Sequence, residues 1–190
     1  MNEFLKNAIL YEIYPTSFYD GNGDGIGDFM IEKIDYIKSL GVNLLWLNPF
    51  YLSPFRDGGY DVQDFYTVDP RFGDLEDFRE FANKCKENGI KVLIDLVVGH
   101  TSIDHEWFKM SSKAERNEYS DYYVWTDSAF TSYKNCTIRG MSERDGGFII
   151  NFFASQPALN YGFRTCDIEE EKKRSPKDDS GAWMMHYKDQ

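Results

Sequence analysis

The chain has 190 residues, 42% of them hydrophobic and 17% aromatic, which is enough apolar material for one or two folded units with a real core. A formal net charge of −11 argues against a nucleic-acid groove or an anionic membrane surface and leaves neutral ligands such as sugars open. No apolar run approaches the ~20 residues of a transmembrane helix, and Met1 to Asn7 lacks the basic and apolar blocks of a signal peptide, so the expected compartment is the cytoplasm. Ala8 to Tyr14 reads as a first strand closed by Pro15. Phe29 to Leu40 spaces Met30, Ile34 and Ile37 as a helix does, with Asp28 as candidate N-cap and Gly41 as the stop. Val42 to Leu47 is a second strand, ended by Asn48 and Pro49. Leu75 to Asn88 is a second helix capped by Asp74, with Leu75, Phe78, Phe81, Ala82 and Cys85 on one stripe and Gly89 at its end.

The third strand is the most informative stretch. Lys91 to Thr101 is a run of Val, Leu and Ile without polar alternation, which suits a parallel strand covered on both faces. Asp95 interrupts that run, and an ionisable group inside an apolar strand needs a partner or a task. His100 follows at the C-terminal side, where barrels of parallel strands keep their functional groups. The order β-α-β-α-β opens either a parallel barrel or a doubly wound sheet. From Thr101 to about Tyr161 the pattern gives way to aromatic, turn-rich sequence, as an inserted subdomain would. Residues 1–100, 101–161 and 162–190 are therefore read as a barrel portion, an insertion, and a charged loop or disordered tail.

Two loops carry candidate chemistry. Asp20-Gly-Asn-Gly-Asp-Gly-Ile-Gly-Asp28 sets oxygen-bearing side chains at alternate positions with glycines between them, an arrangement suited to a hard divalent cation held by Asp20, Asn22, Asp24, Asp28 and the carbonyl of Ile26. Its first half is like an EF-hand loop, but Ile31 stands where the closing Glu belongs; the alternative is an acidic turn. Asn48 to Asp64 follows the second strand and mixes aromatic rings with carboxylates, Tyr60 beside Asp61 above all. Sugars are held that way, ring faces on aromatics and hydroxyls on acids and amides, although a loop packed by its own aromatics has the same composition. Three cysteines, Cys85, Cys136 and Cys166, are odd in number and far apart, suggesting neither a disulfide framework nor a zinc cluster. A zinc pair of His100 and His105 would need a His-Glu-x-x-His-like helix, and His105-Glu106 is followed by Trp107 and Phe108. Asn135-Cys136-Thr137 matches a glycosylation acceptor by chance in a chain without a secretory signal.

Taken in order, Tyr11-Glu-Ile-Tyr-Pro15, Asp20 to Asp28, Trp46-Leu-Asn-Pro49, Gly59-Tyr-Asp-Val62, Asp95 to His100 and Gln156-Pro-Ala-Leu-Asn160 resemble the start of the α-amylase superfamily (glycoside hydrolase family 13), in its α-glucosidase and oligo-1,6-glucosidase-like branch. The resemblance runs over about residues 8 to 161. It implies the N-terminal part of a (β/α)8 TIM barrel, about three strands, with a domain B inserted after the third, acting on α-glucosidic bonds of oligosaccharides. On that resemblance Tyr60, Asp61 and His100 would hold the glucose unit at the cleavage point and Asp95 would support them. Gln156 and Asn160 would mark the specificity stretch closing domain B, and Asp20, Asn22, Asp24, Ile26 and Asp28 would bind a structural Ca2+.

Two departures qualify the resemblance. Gly99 stands where the family usually has an Asn before the histidine, which puts a second calcium in doubt. The nucleophile and acid/base of the family lie on later strands, and Gly162-Phe-Arg-Thr-Cys-Asp167 has one residue too many to match the nucleophile pattern. Retaining glycosidases need two carboxyl groups about 5 Å apart. The sequence therefore reads as a glycosidase fragment without its catalytic pair, inactive alone. The alternatives are a transglycosylating or isomerising relative of the trehalose-synthase kind and a non-catalytic sugar-binding relative; an α-glucoside is the expected partner, with no nucleic acid and no membrane.

Overall fold

The computed structural model describes residues 3–23, 29–126, 138–139 and 142–161. Its contacts divide the chain into two compact units, Met1–Leu96 and Val97–Gln190. The proposed tail, 162–190, lies outside the described residues, as do Cys136, Cys166 and the pattern ending at Asp167.

The first unit alternates strands and helices. A single turn, α1 (Glu3–Lys6), precedes β1 (Leu10–Ile13) and a short helix α2 (Pro15–Phe18) that carries its proline at the start, where the missing N–H costs nothing. A 3-10 turn at Ile31–Lys33 runs into α3 (Ile34–Ser39), which buries Ile34 and Ile37. The helix of the sequence reading thus begins later than Phe29: Met30 is buried but precedes the helix, and Asp28 lies outside the described residues. After β2 (Leu44–Leu47) come β3 (Tyr51–Leu52) and β4 (Asp64–Val68), an antiparallel pair. The long helix α4 (Leu75–Glu87) opens on a capping box. The Asp74 carboxylate accepts from the Glu76 and Asp77 amides at 2.7 and 3.0 Å, while Asp77 accepts from the Asp74 amide at 2.7 Å. Phe81 and Cys85, one turn apart, are fully buried, whereas Leu75, expected on the same stripe, sits in the first turn and is largely exposed.

β5 (Lys91–Ile94) completes a parallel sheet of order β1-β2-β5, in a register that aligns Leu10 with Leu44 and Lys91, and Ile13 with Leu47 and Ile94. With α3 and α4 as crossovers, this is the opening of an incomplete (β/α)8 barrel. The third strand stops at Ile94, short of the expected end just before His100, and is not buried on both faces: Leu93 and Ile94 are 46% and 44% exposed. An apolar strand of a parallel sheet is covered only when it has neighbours, and among the described residues β5 pairs with β2 alone. The core lies where α3, α4 and the loop after β2 close over the sheet. Phe29 meets Phe50 edge-on at 5.3 Å and stacks on Phe81 at 5.9 Å, beside buried Leu45, Leu47 and Phe72.

The second unit has a core of its own. Helix α5 (Glu106–Ser111) is followed by the two-residue strands β6 (Ile138–Arg139) and β7 (Phe148–Ile149), which pair antiparallel. Phe108 packs edge-on against Tyr123 at 5.1 Å and Phe148 at 4.8 Å, and stacks on Trp125 at 5.9 Å. The buried Tyr123 hydroxyl is satisfied by Thr101 Oγ1 at 2.6 Å. The segment that looked patternless is held by aromatic packing between stretches distant in sequence.

Candidate functional site

In the first unit the groups expected at the C-terminal ends of the strands form one hydrogen-bonded chain. Asp95 is not inside the third strand; it follows the last ladder residue, Ile94. Its Oδ1 accepts from Trp46 Nε1 at 2.9 Å and its Oδ2 from the Tyr60 hydroxyl at 2.8 Å, while its carbonyl accepts from the Tyr51 hydroxyl at 2.9 Å. Asn48, just past β2, donates its amide to the Tyr60 oxygen at 2.9 Å and to Glu12 Oε1 at 3.2 Å. Three strands thereby contribute to one arrangement: Glu12 from β1, Trp46 and Asn48 from the end of β2, and Asp95 from the end of β5.

The chain has a direction. Because the Tyr60 hydroxyl donates to a carboxylate, loss of its proton is resisted; burial is the larger cause, and with Asp95 it pushes the phenol up to about 12 against the opposing Asn48 amide. The Tyr51 phenol is also raised, by burial first and then by the Asp95 charge. One buried acceptor, Asn48 Oδ1, has no partner among the described residues. Buried acceptors are ordinarily satisfied by protein, water or ligand.

Asp61 is bonded within the loop itself. It is fully buried, and its carboxylate folds the loop that carries Tyr60: Oδ1 accepts from Ser53 Oγ at 2.8 Å and the Asp57 amide at 3.3 Å, Oδ2 from the Arg56 amide at 3.2 Å. Two backbone positions confirm how tightly the loop is drawn. Phe55 adopts a positive φ of 57°, rare for a bulky residue, with Arg71 stacked on its ring at 4.1 Å. Gly59, at φ 100°, lies so close to Pro49 that a Cβ would meet its carbonyl oxygen at 2.7 Å. The residue that presents Tyr60 must be glycine for both reasons.

In the second unit His100 is 4% exposed and pairs in an isolated antiparallel bridge with Ala158. Its Nδ1 lies 3.2 Å from Asn151 Nδ2, and its ring meets Phe152 edge-on at 5.6 Å; Phe152 itself is 71% exposed. Gln156 is fully buried and its Oε1 accepts from the Phe153 amide at 3.0 Å, so it closes the turn 151–156. Asn160 donates to the Asp121 carbonyl at 2.9 Å. Both side chains shape the second unit's own turns. His105 is the N-cap of α5, its Nδ1 accepting from the Trp107 amide at 3.1 Å, which removes that nitrogen from any zinc pair with His100. Sequence reading missed Glu12, Asn48, Tyr51, Asn151 and Phe152. For Asn48 the signal was present: a polar residue directly after an apolar parallel strand.

Of the cation loop, Asp20 and Asn22 are described and exposed, and Asp20 Oδ1 accepts from the Gly23 amide at 2.6 Å; Asp24, Ile26 and Asp28 lie outside the described residues. Among the described residues no group of three or more His, Cys, Asp or Glu side chains is placed to hold a metal ion. The described donors are hard oxygens, the kind Ca2+ takes. No helix among the described residues is long and apolar enough to cross a membrane.

Comparison with known proteins gives a consistent family. The pattern of the family described as "Alpha amylase, catalytic domain" matches residues 12–174. An oligo-1,6-glucosidase of Parageobacillus thermoglucosidasius is 49% identical over 166 residues, 82% of this chain and 30% of that protein. The trehalose synthase/amylase TreS of Mycolicibacterium smegmatis is 43% identical over 170 residues, 83% of this chain and 28% of that protein. Among solved structures, the α-glucosyl transfer enzyme XgtA superposes with a TM-score of 0.78 at 38% identity, over 94% of this chain and 34% of that one. A MutB variant in complex with glucose does so with a TM-score of 0.77 at 37% identity, over 90% and 32%. The chain thus spans about a third of the length of the relatives it matches.

Proposed function

The chain belongs to the α-amylase catalytic-domain family, glycoside hydrolase family 13, and from that premise we propose that it is the N-terminal, sugar-binding portion of an enzyme acting on α-glucosidic bonds of oligosaccharides. The observation that carries this reading is the Tyr60–Asp95 pair, braced by Trp46 and Asn48 at the strand ends. A half-buried tyrosine locked onto a carboxylate, beside the unpaired acceptor of Asn48, offers an aromatic surface and hydrogen-bonding groups of the kind that hold sugars. Within the second unit, His100 with Phe152 against its ring is a group of the same type. In this reading Asp61, Gln156 and Asn160 act on the sugar through the loops they shape. The Asp20, Asn22, Asp24, Ile26 and Asp28 loop holds one structural calcium ion. Sugar positioning without a nucleophile and a proton donor leaves the bond's barrier almost unchanged, so the 190 residues alone bind but do not turn over.

The similarity to TreS and XgtA favours a second reading of the same site, transfer or isomerisation of a glucosyl unit rather than hydrolysis. The two readings share the sugar-holding groups and differ in what intercepts the glucosyl unit. The test is to titrate the chain with maltose and isomaltose, following sugar resonances by saturation transfer, and to assay nitrophenyl α-glucoside alongside. Binding that is lost in Tyr60→Ala, with no turnover, is expected. Turnover abolished by Asp167→Asn would show that the pattern ending at Asp167 supplies the nucleophile after all. Absence of binding in a folded chain would remove the sugar reading.

A further inference from the structure

In the second unit a side chain distant in sequence fills the space beside Gly99. Gly99 does not adopt a left-handed φ, so its backbone does not call for glycine. Its missing side chain is what matters: a Cβ at position 99 would lie 2.7 Å from Asn151 Nδ2, closer than such atoms approach. The space beside Gly99 is filled by the Asn151 amide, and the same nitrogen lies 3.2 Å from His100 Nδ1.

The backbone fixes this meeting. Residues 99–103 run antiparallel to 155–159, with the Leu159 amide donating to the Gly99 carbonyl at 3.1 Å and the Ile103 amide to the Ser155 carbonyl at 2.9 Å. The Asn151 amide N–H donates to the Gln156 carbonyl at 2.9 Å, and Ile150 bridges to Pro157, which returns Asn151 to the strand that faces His100. The Phe152 ring closes another side of the imidazole. Imidazole and amide therefore sit on two stretches tied to each other by main-chain bonds.

We propose that Asn151 is the positioning residue of His100, donating to Nδ1 so that the neutral ring carries its proton on Nε2, and that Gly99 is glycine to admit the Asn151 amide. A nitrogen that accepts a hydrogen bond holds no proton, so the neutral ring has only the other nitrogen to protonate. His100 is thereby preset as a donor toward an oxygen acceptor such as a sugar hydroxyl. The functional consequence rests on the sugar-binding reading; the tautomer does not.

The test reads the tautomer directly. Long-range proton–nitrogen correlation of the ring-15N-labelled chain, well above the ordinary imidazole range of about 6.5, separates the three histidines, and His100→Gln identifies the His100 set. Acceptor-type Nδ1 and protonated Nε2 are expected in the wild type. Asn151→Asp keeps the shape but can only accept, so it should exchange the two signals; Gly99→Ala and Asn151→Ala should each leave a mixed population. A wild-type His100 with the proton on Nδ1 would overturn the proposal, and that spectrum needs no variant to fold. So would an Asn151→Asp chain of wild-type melting whose pattern is unchanged. If the tautomer is as expected and no sugar binds, the functional reading fails and this one stands.

Discussion

Asp61 is the residue at which a binding role and a folding role make opposite forecasts. Replacing it with alanine removes the acceptor for Ser53 Oγ, the Arg56 amide and the Asp57 amide at a fully buried position. An unsatisfied buried donor costs about 1–3 kcal/mol. The total falls short of three such losses, because Ser53 Oγ keeps the Asp61 carbonyl at 2.9 Å and Arg56 is exposed to water. A loss of about 2–4 kcal/mol remains, or a fall of about 1–2 M in the urea midpoint at a slope near 2 kcal/mol/M. Asp61→Asn, which keeps one acceptor, should lose about half as much. Urea unfolding followed by tryptophan fluorescence measures the first effect, and hydrogen exchange at the Arg56 and Asp57 amides localises it. An Asp61→Ala chain with the wild-type midpoint and unchanged protection of those amides would refute the folding role and return Asp61 to the surface of a ligand.

Tyr60 should be among the late-titrating tyrosines: in ultraviolet titration at 295 nm, Tyr60→Phe removes a component near pH 12, and loss of an ordinary component near pH 10 instead would contradict the Asp95 pairing. Since its folded pKa lies above the unfolded one, its contribution to stability is complete below pH 10 and is lost as pH rises toward 12; Tyr60→Phe should flatten that fall. Burial pushes the Cys85 thiol up to about 12, so in a Cys136→Ser/Cys166→Ser background it should resist thiol reagents at pH 8 until urea unfolds the unit; immediate labelling would show that α4 opens easily. The calcium proposal forecasts a higher melting temperature with calcium than with chelator, and loss of that difference in Asp24→Ala. Identical melting of the wild type in both would leave the loop as an acidic turn.

What the sequence disclosed, and what it hid, divides along local and distant interactions. The α4 boundaries followed from Asp74 and the Phe81/Cys85 spacing, because capping and helical periodicity are local. The parallel strands followed from apolar runs closed by proline or glycine. Composition alone marks β5 as a strand that can be covered; its exposure follows from the incomplete barrel, whose sheet edge has no neighbour among the described residues. At the site, Asp95 was legible as an anomaly in an apolar run, and Tyr60 by its company. The opposite fates of Tyr60 and Asp61, adjacent in sequence, were not: which of two neighbours faces the strand ends depends on a loop turned by Phe55 and Gly59. Asn151 was hidden because its role depends on a space left by Gly99, far away in the chain.

The order of strands in the first unit is also an order in time. β1 pairs with β2, and β2 with β5, each strand docking on the one made before it, with Leu44 meeting first Leu10 and then Lys91. Such a sheet can assemble as the chain leaves the ribosome, one crossover at a time and without waiting for distant segments. At every stage its growing margin is the newest strand, and here that margin is β5, whose Leu93 and Ile94 stand open. A ribosome paused after this point would hold out a nascent chain with an adhesive leading edge, and the length of that pause would set how long chaperones must shield it.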